Sequence, residues 1–172
     1  MSGQFEILGT EHTDRLLAFE SANRRWFESL IAARPDAFYS HGGVTAHIDE
    51  CRDFFSAGRL VPLVLCDGES IIARANLKDI SSQGQSAEVG YRVAEDYFGQ
   101  GVASACLRQL VNVARERIGG CRLWGRVLDN NPASRRVLEK QRFSQVAYQP
   151  AFAKIRGHVL GCTVMERRLG DV

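Results

Sequence analysis

AEVGYRVAEDYFGQGVASACLRQL, residues 87–110, joins a β-patterned run, a glycine-containing turn and the start of an amphipathic helix. Residues 87–93 alternate partly between apolar and polar and carry the β-favouring Val89, Tyr91 and Val93. From Gly101 onward, Ala103, Leu107, Leu110, Ala114 and Ile118 recur at spacings of three or four, which draws one apolar stripe along a helix. Between the two lies Gly99-Gln100-Gly101-Val102-Ala103. A turn with so little side chain lets several backbone N–H groups point at one anion, and the helix dipole adds partial positive charge there. Such a turn suits a phosphate or pyrophosphate, whether of a dinucleotide, a nucleotide or coenzyme A. Two glycines alone fit a plain strand-to-helix turn equally well.

The chain of 172 residues, 45% hydrophobic and 24% charged, is large enough to bury a substantial core, and one domain spanning residues 1–172 is expected. Its 22 basic and 20 acidic residues leave a net charge of +2, so no strong field points to nucleic acid or an anionic membrane. No leader pattern opens the chain and no segment approaches the roughly 20 apolar residues of a membrane span, so a soluble, cytoplasmic protein is expected. Cys51, Cys66, Cys106, Cys121 and Cys162 are odd in number and never form a C-x-x-C pair, which favours packing as small hydrophobes over a disulfide framework. His12, His41, His47 and His158 show no ligand spacing, and no metal is expected.

Taken in order, residues 5–8 form a strand candidate and Thr13 caps one long helix reaching Leu30, closed by Arg34-Pro35-Asp36. Residues 38–43 read as an aromatic loop, either gating a substrate or pinned into the core by Phe38 and Tyr39, before a helix over residues 45–57. Residues 60–66 and 71–80 flank Asp67-Gly68 as a hairpin, and residues 87–93 complete an antiparallel meander. A strand over 122–128, a helix over 131–141, and strands over 143–148 and 159–168 follow. The order β-α-α-β-β-β-α-β-α-β-β predicts a mixed α/β (α+β) domain, with about seven mostly antiparallel strands and helices on both faces. A Rossmann fold fits poorly, because a meander precedes the glycine turn. A P-loop fails because no Gly-Lys-Ser/Thr follows it.

With AEVGYRV, YFGQGVASACL and NPASRRVLEKQRF in this order, almost the whole chain resembles the GNAT superfamily of acyl-CoA-dependent N-acetyltransferases. The nearest in look are the RimJ/RimL-type ribosomal-protein N-terminal acetyltransferases. It departs from them at Asp96, where the loop usually opens with Gln or Arg, at Arg142, where Lys-x-Gly-Phe is common, and at Gly161-Cys162, where an acidic residue and a histidine are common. An acid at position 96 leaves pyrophosphate contact to backbone amides further along.

The resemblance implies an acetyl-CoA-dependent transfer to a primary amine, in a monomer or homodimer. The amine is expected to be the α-amine of a protein or peptide N-terminus; a small-molecule amine and a degenerate acyl-CoA-binding module are the alternatives. It also implies that the backbone at Arg92 and Val93 meets the pantetheine arm, that Phe98, Gly99, Gln100, Gly101, Val102 and Ala103 wrap the pyrophosphate, and that Asn131 reaches the coenzyme arm. Asn131 before Pro132 is in any case a helix N-cap arrangement. Ser134, in the first turn of that helix, could protonate the leaving thiolate or be a small polar residue near a helix start. Glu88 is the candidate proton acceptor, or else pairs with a cross-strand base such as Arg74. Tyr91, Tyr148 and Asp79 rank below it. Trp26, Phe27, Phe38 and Tyr39 suggest a partly aromatic wall on the acceptor side.

Overall fold

The computed structural model describes residues 3–83 and 85–170. In them the chain runs β1 (Gln4–Ile7), α1 (Thr13–Ala22), α2 (Arg24–Leu30), α3 (His41–Ser56), β2 (Val61–Asp67), β3 (Ser70–Lys78), β4 (Ser86–Val93), α4 (Val102–Arg117), β5 (Arg122–Leu128), α5 (Pro132–Lys140), β6 (Ser144–Ile155) and β7 (His158–Arg168). The strands form one sheet of order β1-β2-β3-β4-β5-β7-β6. Neighbours are antiparallel except β4 and β5.

The sheet is covered on both faces, as expected. Val102, Cys106, Leu107, Leu110 and Ala114 of α4 pack on Leu63, Ala75, Leu77, Val89 and Leu123. On the other face Leu16, Phe19, Phe27, Val44 and Ile48 of α1–α3 pack on Val64, Cys66 and Ile71. Each fully buried Leu or Ile contributes about 1.5–3 kcal/mol by leaving water. The central strands β2 and β3 therefore read as apolar runs, while Arg74 stands out as a buried charge at 2% exposure.

The structure differs from the sequence expectation in several places, each for a local reason. Thr13 opens α1 rather than capping it, its hydroxyl donating back to the Thr10 carbonyl (2.7 Å). The long first helix is broken at Asn23, whose side chain donates to the Phe19 carbonyl (2.9 Å) and accepts from the Glu95 N–H (2.9 Å), so α1 ends there and α2 begins anew at Arg24. Helix α3 starts at His41, earlier than residue 45, because Ser40 caps it by accepting from the Gly43 N–H. A Cβ at Gly43 would lie 2.1 Å from the Ala37 carbonyl oxygen, so that first turn needs the glycine. Phe38 is buried in the core, which supports the pinned reading of this stretch over a free loop. Strand β6 runs to Ile155, far beyond residue 148. It is an edge strand exposed on both faces, so no burial alternation marks it, and an edge tolerates Pro150 at an irregularity in the pairing.

Arg142, just past α5, has φ +65, the left-handed region that favours glycine. The steric strain there is about 1–2 kcal/mol, offset in part by the extra unfolded-state freedom of glycine, so Arg142→Gly should stabilise the protein by roughly 0.5–1 kcal/mol. Urea unfolding with an unchanged m-value checks this.

Candidate functional site

Strands β4 and β5 are paired through Ser86↔Arg122, Ala87↔Leu123 and Glu88↔Trp124. Beyond these positions, among the described residues, β4 keeps only β3 and β5 keeps only β7, so a wedge opens between them. Gly125 lets the strands close just before they part: a Cβ there would lie 3.2 Å from Val89 Cγ2 and 3.3 Å from the Val89 carbonyl oxygen.

Ladder phase decides which backbone groups face the wedge. The Ala94 N–H donates to the Ile72 carbonyl, and alternation along an antiparallel pair then turns the backbone groups of Val89, Tyr91 and Val93 toward the wedge. Consistent with this, the Val93 carbonyl accepts from Trp26 Nε1 at 3.2 Å. The same alternation points the Arg92 backbone at β3. Of the two backbone positions suggested by the resemblance, Val93 lies on the open edge and Arg92 does not. The Arg92 side chain turns inward and pairs with Glu20 at 2.9 Å.

From β4 the chain makes a short 3-10 turn, Glu95–Tyr97, and enters α4 through Gly99 and Gly101, with φ +77 and +83. Added Cβ atoms would meet nothing within 4 Å at either position, so backbone conformation rather than crowding asks for glycine. Among the described residues, no side chain caps α4. Among the described residues, the N–H groups of Gly99, Gly101, Val102, Ala103 and Ser104 have no protein acceptor, which leaves a cluster of donors at the positive end of a helix dipole. Gln100 Nε2 donates to the Asp96 carbonyl (2.7 Å) and holds the loop, so the Gln100 side chain serves the turn. Phe98 is half-exposed, with its ring 5.2 Å from that of Trp26 in an edge-to-face contact.

Glu88 is only 4% exposed and faces the side covered by α1–α3. Lys78 Nζ stands 3.3 Å from it and Arg126 Nη1 lies 3.4 Å from each carboxylate oxygen. The base across the strand is therefore Lys78, while the register puts Arg74 opposite Arg92. Arg126 is held between the rings of Trp124 (4.7 Å) and Phe152 (5.6 Å). Burial pushes the Glu88 carboxyl above the ordinary carboxylate range, and the two cations pull it back only in part. That direction suits a proton acceptor.

Asn131 caps α5 by accepting from the Ser134 N–H at 3.1 Å, with Pro132 at the first helical position. Ser134 Oγ lies 2.9 Å from the Tyr91 hydroxyl. Burial pushes Tyr91 up to about 12, so it stays protonated and can donate to Ser134 Oγ, leaving the proton of Ser134 free to be given elsewhere. The remaining candidates are elsewhere: Tyr148 donates to Asp129 and braces the β6–β7 hairpin, and Asp79 stands exposed at the end of β3.

Helix α2 spans the open end of the wedge. Trp26 ties it to β4, Asn130 Nδ2 donates to the Ser29 carbonyl (2.8 Å), and Arg156 donates to the Arg25 carbonyl (2.7 Å). Of the expected aromatic wall, Phe27 and Phe38 are core residues, Tyr39 lies under Arg24, and Trp26 reaches the wedge. The five cysteines are free and buried, and burial raises every thiol. Glu6, His12 and Cys66 come close together, yet His12 Nδ1 accepts from the Gly9 N–H and so places its proton on Nε2 toward Glu6. Arg15 approaches the Cys66 sulfur, which leaves this trio hydrogen-bonded rather than open to a cation.

An acetyltransferase (GNAT) domain family matches residues 11–144. A probable N-acetyltransferase of Bacillus subtilis, YjcK, is 26% identical over 144 residues, covering 82% of this chain and 80% of its own. Among solved structures, a ribosomal-protein alanine acetyltransferase of Vibrio fischeri superposes with a TM-score of 0.90 at 15% identity, over 98% of this chain and 93% of the other. The RimL ribosomal α-N-protein acetyltransferase in complex with coenzyme A superposes with a TM-score of 0.86 at 17% identity, over 96% and 93%.

Proposed function

The chain belongs to the acetyltransferase (GNAT) family, and from that premise we propose that it moves an acetyl group from acetyl-CoA to the α-amine at the N-terminus of a protein or peptide, in the reducing cytoplasm. The observation that carries the reading is the wedge itself: an unpaired β4 edge runs from a buried carboxylate, Glu88, to a cluster of orphan N–H groups at α4. The residues fit the coenzyme. Gly99 to Ala103 would hold its pyrophosphate through backbone N–H groups, and the Val89, Tyr91 and Val93 edge would take the amide-bearing arm as an added strand. Bound there, the thioester supplies an activated acyl carbon.

Each residue then has a stated task. Glu88 accepts a proton from the amine, directly or through water. Ser134 gives its proton to the departing thiolate while Tyr91 hydrogen-bonds to the Ser134 oxygen, and solvent then returns a proton to the Ser134–Tyr91 pair and takes the amine's proton from Glu88. Trp26 and α2 shield that end of the wedge from solvent. The α-amine is favoured because its pKa of about 7.7–8.0 leaves roughly a tenth to a sixth of it neutral near pH 7, whereas a lysine ε-amine at about 10.4 leaves less than about a thousandth and asks far more of a base. The N-terminal acetyltransferases of the same fold support this choice. Among the described residues, no helix is long and apolar enough to cross a membrane.

Acetyl-CoA at 100 times its dissociation constant should stabilise the protein by about 2.7 kcal/mol, a rise in Tm of roughly 5–10 °C for a chain of this size. NAD should give none. Thermal melts with each test the coenzyme, and mass spectrometry of an amine panel (N-terminal peptides, lysine side chains, polyamines, aminoglycosides) tests the acceptor. A shift with NAD alone would overturn the coenzyme reading. Acetylation confined to small amines would replace the N-terminal one.

A further inference from the structure

The sheet face beneath α1–α3 carries more than Glu88. Arg74, Asn76 and Lys78 of β3 stand opposite Arg92, Gly90 and Glu88 of β4. At one end Glu20 of α1, fully buried, accepts from Arg74 (3.3 Å) and Arg92 (2.9 Å) and lies 4.0 Å from Arg34. Three guanidinium groups thus share one carboxylate. His47 adds no negative charge: it accepts from Arg74 at 3.0 Å and is held neutral, its pKa pulled down to about 3 by burial and by the arginines. Glu28 is engaged by Arg24 at 2.8 Å, and Glu50 is exposed, 4.0 Å from His47.

Such an excess of partly buried positive charge is costly unless something negative, or water, completes it. Two further features point to a ligand. Among the described residues, Nε of Arg34 and Nε of Arg74 are buried without a hydrogen-bond partner, and Arg74 is only 2% exposed. The cluster is also open on one side, because the Arg34 and Arg92 side chains remain 25% and 23% exposed. Their guanidinium planes lie over the rings of Phe38 (4.2 Å) and Phe27 (5.2 Å), which fix them for a planar anion.

Between this cluster and Glu88 lies the pair Asn76↔Gly90. Gly90 presents no side chain, and a Cβ there would meet only Lys78 Cε at 3.6 Å. Among the described residues, Asn76 Oδ1 is buried with no donor. A bare floor beside an orphan acceptor and a carboxylate suits an amine. From Gly90 to Arg92 the strand advances roughly 7 Å, a span bridged by a terminal amine and an acidic side chain close to it.

We propose that Arg34, Arg74 and Arg92 form a specificity subsite for the acceptor, binding a carboxylate on the first or second residue of a peptide whose α-amine sits over Gly90 between Asn76 and Glu88. The assignment to a peptide rests on the N-terminal reading above. The anionic subsite itself can be tested apart from it.

The test is acetylation of peptide pairs that differ only as Glu against Gln, or Asp against Asn, at the first or second position, with Ala- and Ser-led peptides as references. The acidic member should be preferred roughly ten- to a hundredfold in kcat/KM, the range of one charge-assisted hydrogen bond, chiefly through KM. Added salt should narrow the preference, and Arg34→Met should narrow it several-fold. Gly90→Val, which fills the floor without removing a charge, should raise KM for every peptide. It supplies a second variant should Arg34→Met not fold. Acid and amide partners turned over within twofold of each other, alongside good Ala- or Ser-led substrates, would overturn the subsite and leave the N-terminal reading standing. If no peptide reacts but free glutamate is acetylated in preference to glutamine, the N-terminal reading fails and the subsite stands. Acetylation of neutral amines alone overturns both.

Discussion

Glu88→Gln is expected to lower kcat/KM by roughly two to four orders of magnitude near neutral pH, the usual worth of a positioned general base. The loss should depend on pH in a definite direction. Burial raises the Glu88 carboxyl, so below its own pKa even the wild-type residue is protonated and cannot accept. Above the pKa of the amine the acceptor is already neutral and needs the base less. The ratio of wild type to variant should therefore peak between these two ionisations and shrink as pH rises past about 8. Stability should move independently of rate. A carboxyl whose folded pKa is raised contributes stability that is complete below its unfolded pKa and lost as pH rises through the folded one, so ionised Glu88 is a cost at neutral pH. Gln relieves that cost. Lys78 and Arg126, 43% and 41% exposed, lose their partner but remain screened by water. The melting temperature at pH 7–8 should hold or rise while activity collapses. Parallel pH–rate profiles with no loss of rate would remove Glu88 from the mechanism.

What could be read from the chain beforehand follows how far each feature depends on distant residues. The glycine entry into α4 and the Asn131-Pro132 cap depend on local backbone chemistry and form where their residues predict, while the hairpin turn forms one residue beyond Asp67-Gly68, at Gly68-Glu69, with Asp67 paired to Ser70. The break at Asn23 was hidden because the helical spacing continues through it and its reason, the Glu95 N–H, comes from far along the chain. The charge partners of Glu88 were hidden for the same cause. Arg126 approaches only because β5 lies beside β4, a parallel neighbour relation that no local pattern encodes, and the choice of Lys78 over Arg74 follows from register. A shift of one pair would change every facing residue. The arginine cluster assembles from α1, the segment after α2, β3 and β4, and Arg34 read simply as the end of a helix. Tyr91 could not be ranked without Ser134, which meets it from α5, the helix that follows β5 in the chain.

That contact makes Ser134→Ala the other large effect. Its turnover should fall roughly a hundredfold or more, with coenzyme affinity changing only a few-fold, because a proton given to a leaving thiolate matters chiefly in the transition state. The fold should be indifferent: the cap on α5 uses the Ser134 backbone N–H with Asn131 Oδ1, and alanine keeps that donor. Ser134→Thr should recover part of the rate by restoring a hydroxyl. Tyr91→Phe removes the donor behind Ser134 and should cost less than Ser134→Ala. The decisive measurement is the double variant. If Tyr91 acts through Ser134, removing its hydroxyl after Ser134 is gone has nothing left to affect, and the double variant should match Ser134→Ala alone. Losses that multiply would mean that Tyr91 reaches the thiolate by its own route. A Ser134→Ala enzyme that keeps its full kcat while binding coenzyme less tightly would reduce Ser134 to a residue of the coenzyme site. Equal losses in turnover and affinity would likewise restrict it to binding. Only the unequal loss, largest in kcat and insensitive to a second change at Tyr91, fits a proton path that runs from β4 through α5 into the wedge.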